Sequence, residues 1–276
     1  MNVAIYAGDC IESLKKLEDE SINTCITSPP YWGLRNYNDE EKQLGMEATP
    51  EEFVENLVKV FREVKRVLRD DGTVWLNLGD SYKKSNLTGI PWLVALALQK
   101  DGWYLRQDII WHKPNPMPES VKNRCTKAHE YIFLLSKSPK YYYDNEAIKE
   151  DAKFPNGPNS PHKIKAVDNV YSANLQKIGA NPKRNKRSVW TITTKPFKGA
   201  HFATFPKDLI EPCVLAGCPK GGTVLDPFAG SGTTAEVANA HNRNTVLCEL
   251  SNDYIEIAKK RLDGMFANIN VIGEGA

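Results

Sequence analysis

Thr223-Val224-Leu225-Asp226-Pro227-Phe228-Ala229-Gly230-Ser231-Gly232-Thr233-Thr234 combines three signals in twelve residues. A short apolar run of buried-strand character comes first, a Gly-x-Gly turn follows, and residues suited to opening a helix close the stretch. Glycines there let a backbone approach a ligand closely, and a helix start offers unpaired N–H groups. About twenty residues on, Glu249 ends the next strand candidate, where a carboxylate can accept both hydroxyls of a ribose. This is the layout of a nucleoside site at the carboxyl ends of parallel strands. A third glycine at dinucleotide spacing is missing, as is a Gly-Lys-Ser/Thr for a triphosphate. A ribose-bearing ligand without phosphate fits best.

The same alternation extends outward. Strand candidates fall at 3–7, 22–27, 73–78, 104–111, 131–135, 189–193, 223–226 and 245–249. Helical spacing of apolar residues marks 51–68, where Phe53, Val54, Leu57, Val60, Phe61, Val64 and Leu68 share a face. Further helices are expected at 91–99, 206–216, 233–241 and 253–262. Strands alternating with helices imply an α/β fold, with a mostly parallel sheet covered on both faces. From about 145 to 185 the pattern lapses into Pro, Asn, Gly and Lys, and no regular element can be assigned.

Composition narrows the partners. The 276 residues are 41% hydrophobic and 25% charged, as in an average globular protein, and carry a net charge of +2. Residues 151–200, however, hold ten Lys/Arg against two Asp/Glu. Such a surplus suits a phosphate backbone, or else a solvated basic loop. The six cysteines form no Cys-x-x-Cys pair and lack paired histidines, so no metal site is expected. No apolar run is long enough to span a bilayer, and Met1–Cys10 lacks a leader pattern, which points to the cytoplasm.

Thr27-Ser28-Pro29-Pro30-Tyr31-Trp32 directly follows the 22–27 strand. Together with Asp-Pro-Phe-Ala-Gly-Ser-Gly-Thr-Thr it resembles the paired motifs of the amino-group DNA methyltransferases, which act on N4 of cytosine or N6 of adenine. The resemblance implies a Rossmann-like fold dependent on S-adenosylmethionine. The motif order is permuted, with the catalytic element ahead of the cofactor half and an irregular target-recognition region between them. It implies one methyltransferase domain over 1–276, with recognition in 114–198. Ser28, Pro29, Pro30 and Tyr31 would form the catalytic element. An exocyclic amine is a poor nucleophile because its lone pair is delocalised. Acceptors on its N–H groups, from Ser28 Oγ and the Pro29 carbonyl, would favour a pyramidal nitrogen, while Tyr31 stacks on a base turned out of the duplex.

By the same resemblance, Asp9 would meet the adenine amino group, Asp226 the methionine end and Phe228 the adenosine. Thr204 and Phe205, within His201–Pro206, would cradle the methionine part. Thr27, Gly230, Ser231, Gly232, Thr233 and Glu249 would complete the cofactor site. Trp32 and Tyr37 would line the base pocket. His112 and Lys113 at a strand end, and Lys183, Arg184, Lys186 and Arg187 in the basic stretch, would contact double-stranded DNA. A cognate restriction endonuclease would be a further partner. Serine at the head of the motif leans toward cytosine, with adenine the alternative. Two other readings stand beside these: a C5-cytosine enzyme using Cys213 after Pro212, and a non-catalytic DNA-binding protein that has kept the fold. The first is disfavoured because Cys213 sits in an apolar helical stretch.

Overall fold

The computed structural model describes residues 1–33, 43–152, 183–194, 205–265 and 267–273. The strands of the main sheet are β1 (Asn2–Ala7), β2 (Ile22–Thr27), β3 (Leu68–Leu78), β6 (Tyr104–His112), β7 (His129–Ser136), β10 (Val189–Thr191), β11 (Thr223–Asp226), β12 (Asn244–Glu249) and β13 (Asn268–Ile272). Their spatial order is β10-β6-β7-β3-β2-β11-β12-β1-β13. Every described pairing in this sheet is parallel except the two made by β7. The first strand, β1, lies beside β12, in the register Val3↔Thr245 to Ala7↔Glu249.

Helices α1 (Cys10–Leu14), α2 (Pro50–Val67) and α3 (Ile90–Lys100) cover one face. Helices α4 (Lys207–Gly217), α5 (Thr233–Ala240) and α6 (Asn252–Leu262) cover the other. The two cores follow from strand alternation. Cys25, Val74 and Leu76 pack with Phe53, Leu57 and Val94, whereas Val3, Ile5 and Leu247 pack with Ala235, Ile255 and Leu262. Helix α2 shows why its sequence is helical. The Thr49 side chain accepts from the Glu52 N–H, Pro50 opens the first turn, and Lys65 and Arg66 sit in the last. Its buried stripe of Phe53, Leu57, Val60, Phe61 and Val64 stabilises the sheet contact by about 1.5–3 kcal/mol per side chain.

Three departures from the expected elements have local causes. Strand β3 begins at Leu68, not at 73, because Asp70-Asp71-Gly72 is absorbed as an irregularity between the Ile22 and Thr24 pairings. Strand β13, unexpected from the sequence, adds to the edge of β1. A hairpin of β4 (Tyr82–Lys83) and β5 (Asn86–Leu87) turns through Lys84 and Ser85, both at positive φ, without the Asn-Gly that marks such turns.

The chain divides into two compact units, Met1–Tyr143 with Ser188–Ala276, and Asp144–Arg187. The smaller unit holds a 3-10 turn at Glu146–Ile148 and the strand pair β8 (Glu150–Asp151) and β9 (Lys183–Arg184). Among the described residues no helix is long and apolar enough to cross a membrane.

Candidate active site

Five parallel strands finish at one rim of the sheet, delivering Ala7, Thr27, Leu78, Asp226 and Glu249 together. Buried Asp226 binds the rim. Its Oδ1 accepts from the Thr27 hydroxyl at 2.6 Å and the Phe228 N–H at 3.1 Å, and its Oδ2 accepts from the Thr234 hydroxyl at 2.6 Å. Burial pushes this carboxyl up to about 6, even though those three hydrogen bonds favour its charge. Thr27 is the residue just before Ser28, so this hydrogen bond couples the glycine loop to the Ser-Pro-Pro-Tyr element.

Glu249 is half-buried. Its two oxygens accept from the Gly230 N–H at 2.7 Å and the Ser251 N–H at 2.9 Å. Burial raises its pKa, and a carboxylate with two such bonds still has acceptor capacity for two hydroxyls. At Gly230 (φ +49°) and Gly8 (φ +116°) a Cβ would meet nothing within 4 Å, so the backbone there borders open space beside Glu249. Gly232 (φ +76°) has a different reason to be glycine: a Cβ would come within 3.0 Å of Ala258 on α6. These residues fit a ribose-bearing ligand lying along the strand ends.

The other sequence-predicted cofactor residues are placed as follows. Asp9 caps α1, accepting from the Glu12 N–H at 3.0 Å. Phe228 is half-buried against the α2-side core. The hydroxyls of Ser231 and Thr233 both accept from Arg261 on α6, at 2.9 and 2.7 Å, so they fasten the glycine loop to that helix. Phe205 is half-buried, two residues before α4, while Thr204 lies outside the described residues, as does Tyr37.

The Ser-Pro-Pro-Tyr element leaves β2 with Pro29 buried. The Tyr31 hydroxyl donates to Glu130 Oε2 at 2.7 Å. Glu130 also receives the Lys113 ammonium in a salt bridge and the Asn77 amide at 3.3 Å. Burial, and then the neighbouring Glu130, push the Tyr31 phenol well above its ordinary value. A Cβ at Gly79 would stand 2.6 Å from Tyr31 Cε2 and 3.2 Å from Glu130 Cδ, so the site has no room for a side chain there. Glu130 was not singled out in the sequence; its only signal is a charge opening an apolar strand.

Trp32 is buried in the core, with its indole N–H donating to the Glu47 carbonyl at 2.9 Å and Lys83 over its ring. His112 Nδ1 lies 3.2 Å from Thr191 Oγ1, and Lys113, besides its bond to Glu130, sits over the Trp111 ring. Lys183, Arg184, Lys186 and Arg187 are in the smaller unit, where Arg184 and Arg187 both pair with Glu150 Oε1, at 2.9 and 2.7 Å. Asp80 closes the hairpin onto α3 by accepting from the Thr88 hydroxyl and the Gly89 N–H. Cys213 is buried inside α4, its thiol directed at the Leu209 carbonyl.

The N6/N4 family described as DNA methylase matches residues 22–260. The chain belongs to that family. It is a DNA methyltransferase of the amino-nitrogen type. The Type II methyltransferase M.Cfr9I of Citrobacter freundii is 43% identical over 294 residues, covering 96% of this chain and 89% of the relative. M.SmaI of Serratia marcescens is 44% identical over 287 residues, covering 94% and 90%. Among solved structures, PvuII DNA methyltransferase (cytosine-N4-specific) superimposes with a TM-score of 0.72 at 20% identity, covering all of this chain and 88% of that one. A putative DNA modification methylase of Thermus thermophilus, solved with S-adenosyl-L-methionine, gives 0.67 at 24% identity, covering 98% and 99%. The methyltransferase then shares the Rossmann-like fold of these enzymes.

Proposed function

We propose that this methyltransferase transfers the methyl group of S-adenosylmethionine to the N4 amino group of a cytosine turned out of double-stranded DNA. The observation that carries the reading is the Thr27–Asp226 hydrogen bond, which ties the serine-headed catalytic element to the glycine loop at one rim. When bound, S-adenosylmethionine supplies an electrophilic methyl group. Glu249 would hold its ribose hydroxyls, with Asp9 and Phe228 toward the adenine. The backbone at Gly8 and Gly230 would border it, and Asp226 would keep the loop in shape. Ser28 Oγ and the Pro29 carbonyl would accept the two N–H bonds of the target amine, and the rigid Pro29-Pro30 backbone would keep both acceptors in place. Trp32 and Lys113, engaged by Glu47 and Glu130, brace the pocket rather than reach for DNA.

Residues 114–198 would include the recognition region, with Lys183, Arg184, Lys186 and Arg187 holding phosphates and His112 near the flipped nucleotide. The likeness to Type II methyltransferases supports a cognate restriction endonuclease in the same cell. The serine at position 28 and the cytosine-N4-specific name of one structural relative favour cytosine over adenine.

Nucleoside mass spectrometry after incubation with DNA and S-adenosylmethionine carrying a labelled methyl is expected to find the label in N4-methylcytosine. Label in N6-methyladenine would keep the site chemistry and reassign the base. No label in any DNA, despite cofactor binding, would support a non-catalytic binding protein.

A further inference from the structure

We infer that the tip of the β4–β5 hairpin is a DNA-backbone contact, in which Lys84 holds a phosphate close to the nucleotide that is turned out. The inference rests on the reading of Tyr31 as the place where that base is received. The hairpin and Tyr31 belong to the same compact unit and lie side by side. Gly79 packs against the Tyr31 ring, and the chain enters β4 three residues later. Lys83 of β4 holds its ammonium 4.1 Å from the ring centre of Trp32, the residue after Tyr31. A base turned out of the stack stays tied to its own two phosphates, so the DNA backbone must pass close to whatever receives the base. Exposed cations beside Tyr31 are therefore placed to meet it.

Every residue from Tyr82 to Leu87 is exposed, yet the hairpin is held from three sides. Asp80 closes its base by accepting from the Ser81 and Gly89 N–H groups and the Thr88 hydroxyl. Arg124 sits over the Tyr82 ring at 3.9 Å, and Lys83 covers Trp32. The Lys127 ammonium donates to the Asp80 carbonyl. Pairing of Lys83 with Asn86 leaves Lys84 and Ser85 as a two-residue turn, at φ +50° and +63°. Asn-Gly would take those angles freely, whereas lysine takes them at a conformational cost. What the cost secures is a charge at the outermost point of the hairpin. Among the described residues Lys84 has no carboxylate partner, and the acids nearby are engaged, Asp80 in the hairpin base and Glu119 by Arg124. A free ammonium on a braced tip, with the Ser85 hydroxyl and the Asn86 amide beside it, is a donor set suited to phosphate oxygens.

Binding of a fluorescent DNA duplex to the full chain, read by anisotropy between about 50 and 200 mM salt, tests the contact. Lys84→Asn removes the charge and leaves a residue that tolerates positive φ, so the turn itself is kept. It is expected to reduce the slope of log affinity against log salt by about 0.9, the share of one phosphate, and to weaken binding at the lowest salt about threefold. Lys84→Arg keeps the charge and should keep the slope. Lys220→Asn removes the same charge from an exposed turn just before β11, at the opposite end of the strands, and should leave the slope unchanged. A slope unaltered by Lys84→Asn would overturn the inference. Equal falls in both asparagine variants, or the same fall in Lys84→Arg, would overturn it too. A wild-type chain that binds no duplex at any salt would sink the proposed function itself, which separates the two failures.

Discussion

Asp226 and Glu130, two of the carboxylates at the rim of this methyltransferase, have different surroundings. Asp226 is closed in by neutral donors, two hydroxyls and one N–H, and no cation reaches it among the described residues. Glu130 faces the Lys113 ammonium, an amide and a phenol. The partners of Asp226 lie almost beside it in the chain, at 228 and 234, with Thr27 the one distant contributor. The groups around Glu130 come from separate places, at 31, 77, 79 and 113. A ligand loop can be specified locally, because one turn of backbone makes most of it. The Tyr31 side of the rim is held by a fixed charge, and the fold brings that charge from elsewhere.

Altering each side separately sharpens the contrast. The largest effect is expected from Gly79→Ala, which places a methyl group 2.6 Å from the Tyr31 ring and displaces the Glu130 side of the rim. Methyl transfer should fall about a hundredfold while cofactor binding, measured by calorimetry, changes less than about twofold. Equal damage to both would mean that the two halves are not separable.

Asp226→Asn probes the other side through pH. In the folded protein Asp226 is pushed up to about 6, above the ordinary carboxylate value of the unfolded chain. Between about pH 4 and pH 6 the folded state therefore holds the extra proton, and stability declines as pH rises through that window, by about 3 kcal/mol in full. The asparagine variant lacks this slope. Thermal melts from pH 4 to 6.5 should show the wild type losing ground to the variant as pH rises, and a constant difference would contradict the burial of an unpaired charge. The smallest effect is expected from Cys213→Ala. With the thiol buried in α4, activity should stay within about twofold, and near-complete loss would revive a cysteine nucleophile.

Legibility in the sequence followed the same division. The glycine loop and the Ser-Pro-Pro-Tyr element could be anticipated because contiguous residues encode them, and their order along the chain implied the pairing of β1 with β12. Glu130 could not, because a single acidic residue before Tyr131-Ile132-Phe133 reads as an ordinary strand start. Only the antiparallel pairing of Leu78 with Tyr131 brings it beside Gly79. Lys113 was noticed for its charge and expected at DNA, yet its ammonium is committed inside the site. The hydroxyls of Ser231 and Thr233 show the converse: they belong to the cofactor motif, but their side chains serve the contact with Arg261. A motif names positions, and packing decides which way each side chain is used.

The place of β1 between β12 and β13 also has a consequence in time. The Asn2 N–H bonds the Asn244 side chain, 242 residues away. A ribosome adding about 5–20 residues per second makes the first strand on the order of ten to fifty seconds before either of its neighbours exists. Until then Val3 and Ile5 have no sheet to join, and Gly8 has no Glu249 carbonyl to bond. The strand-end rim between Gly8 and Glu249 therefore closes last, after nearly all of the described chain has been synthesised.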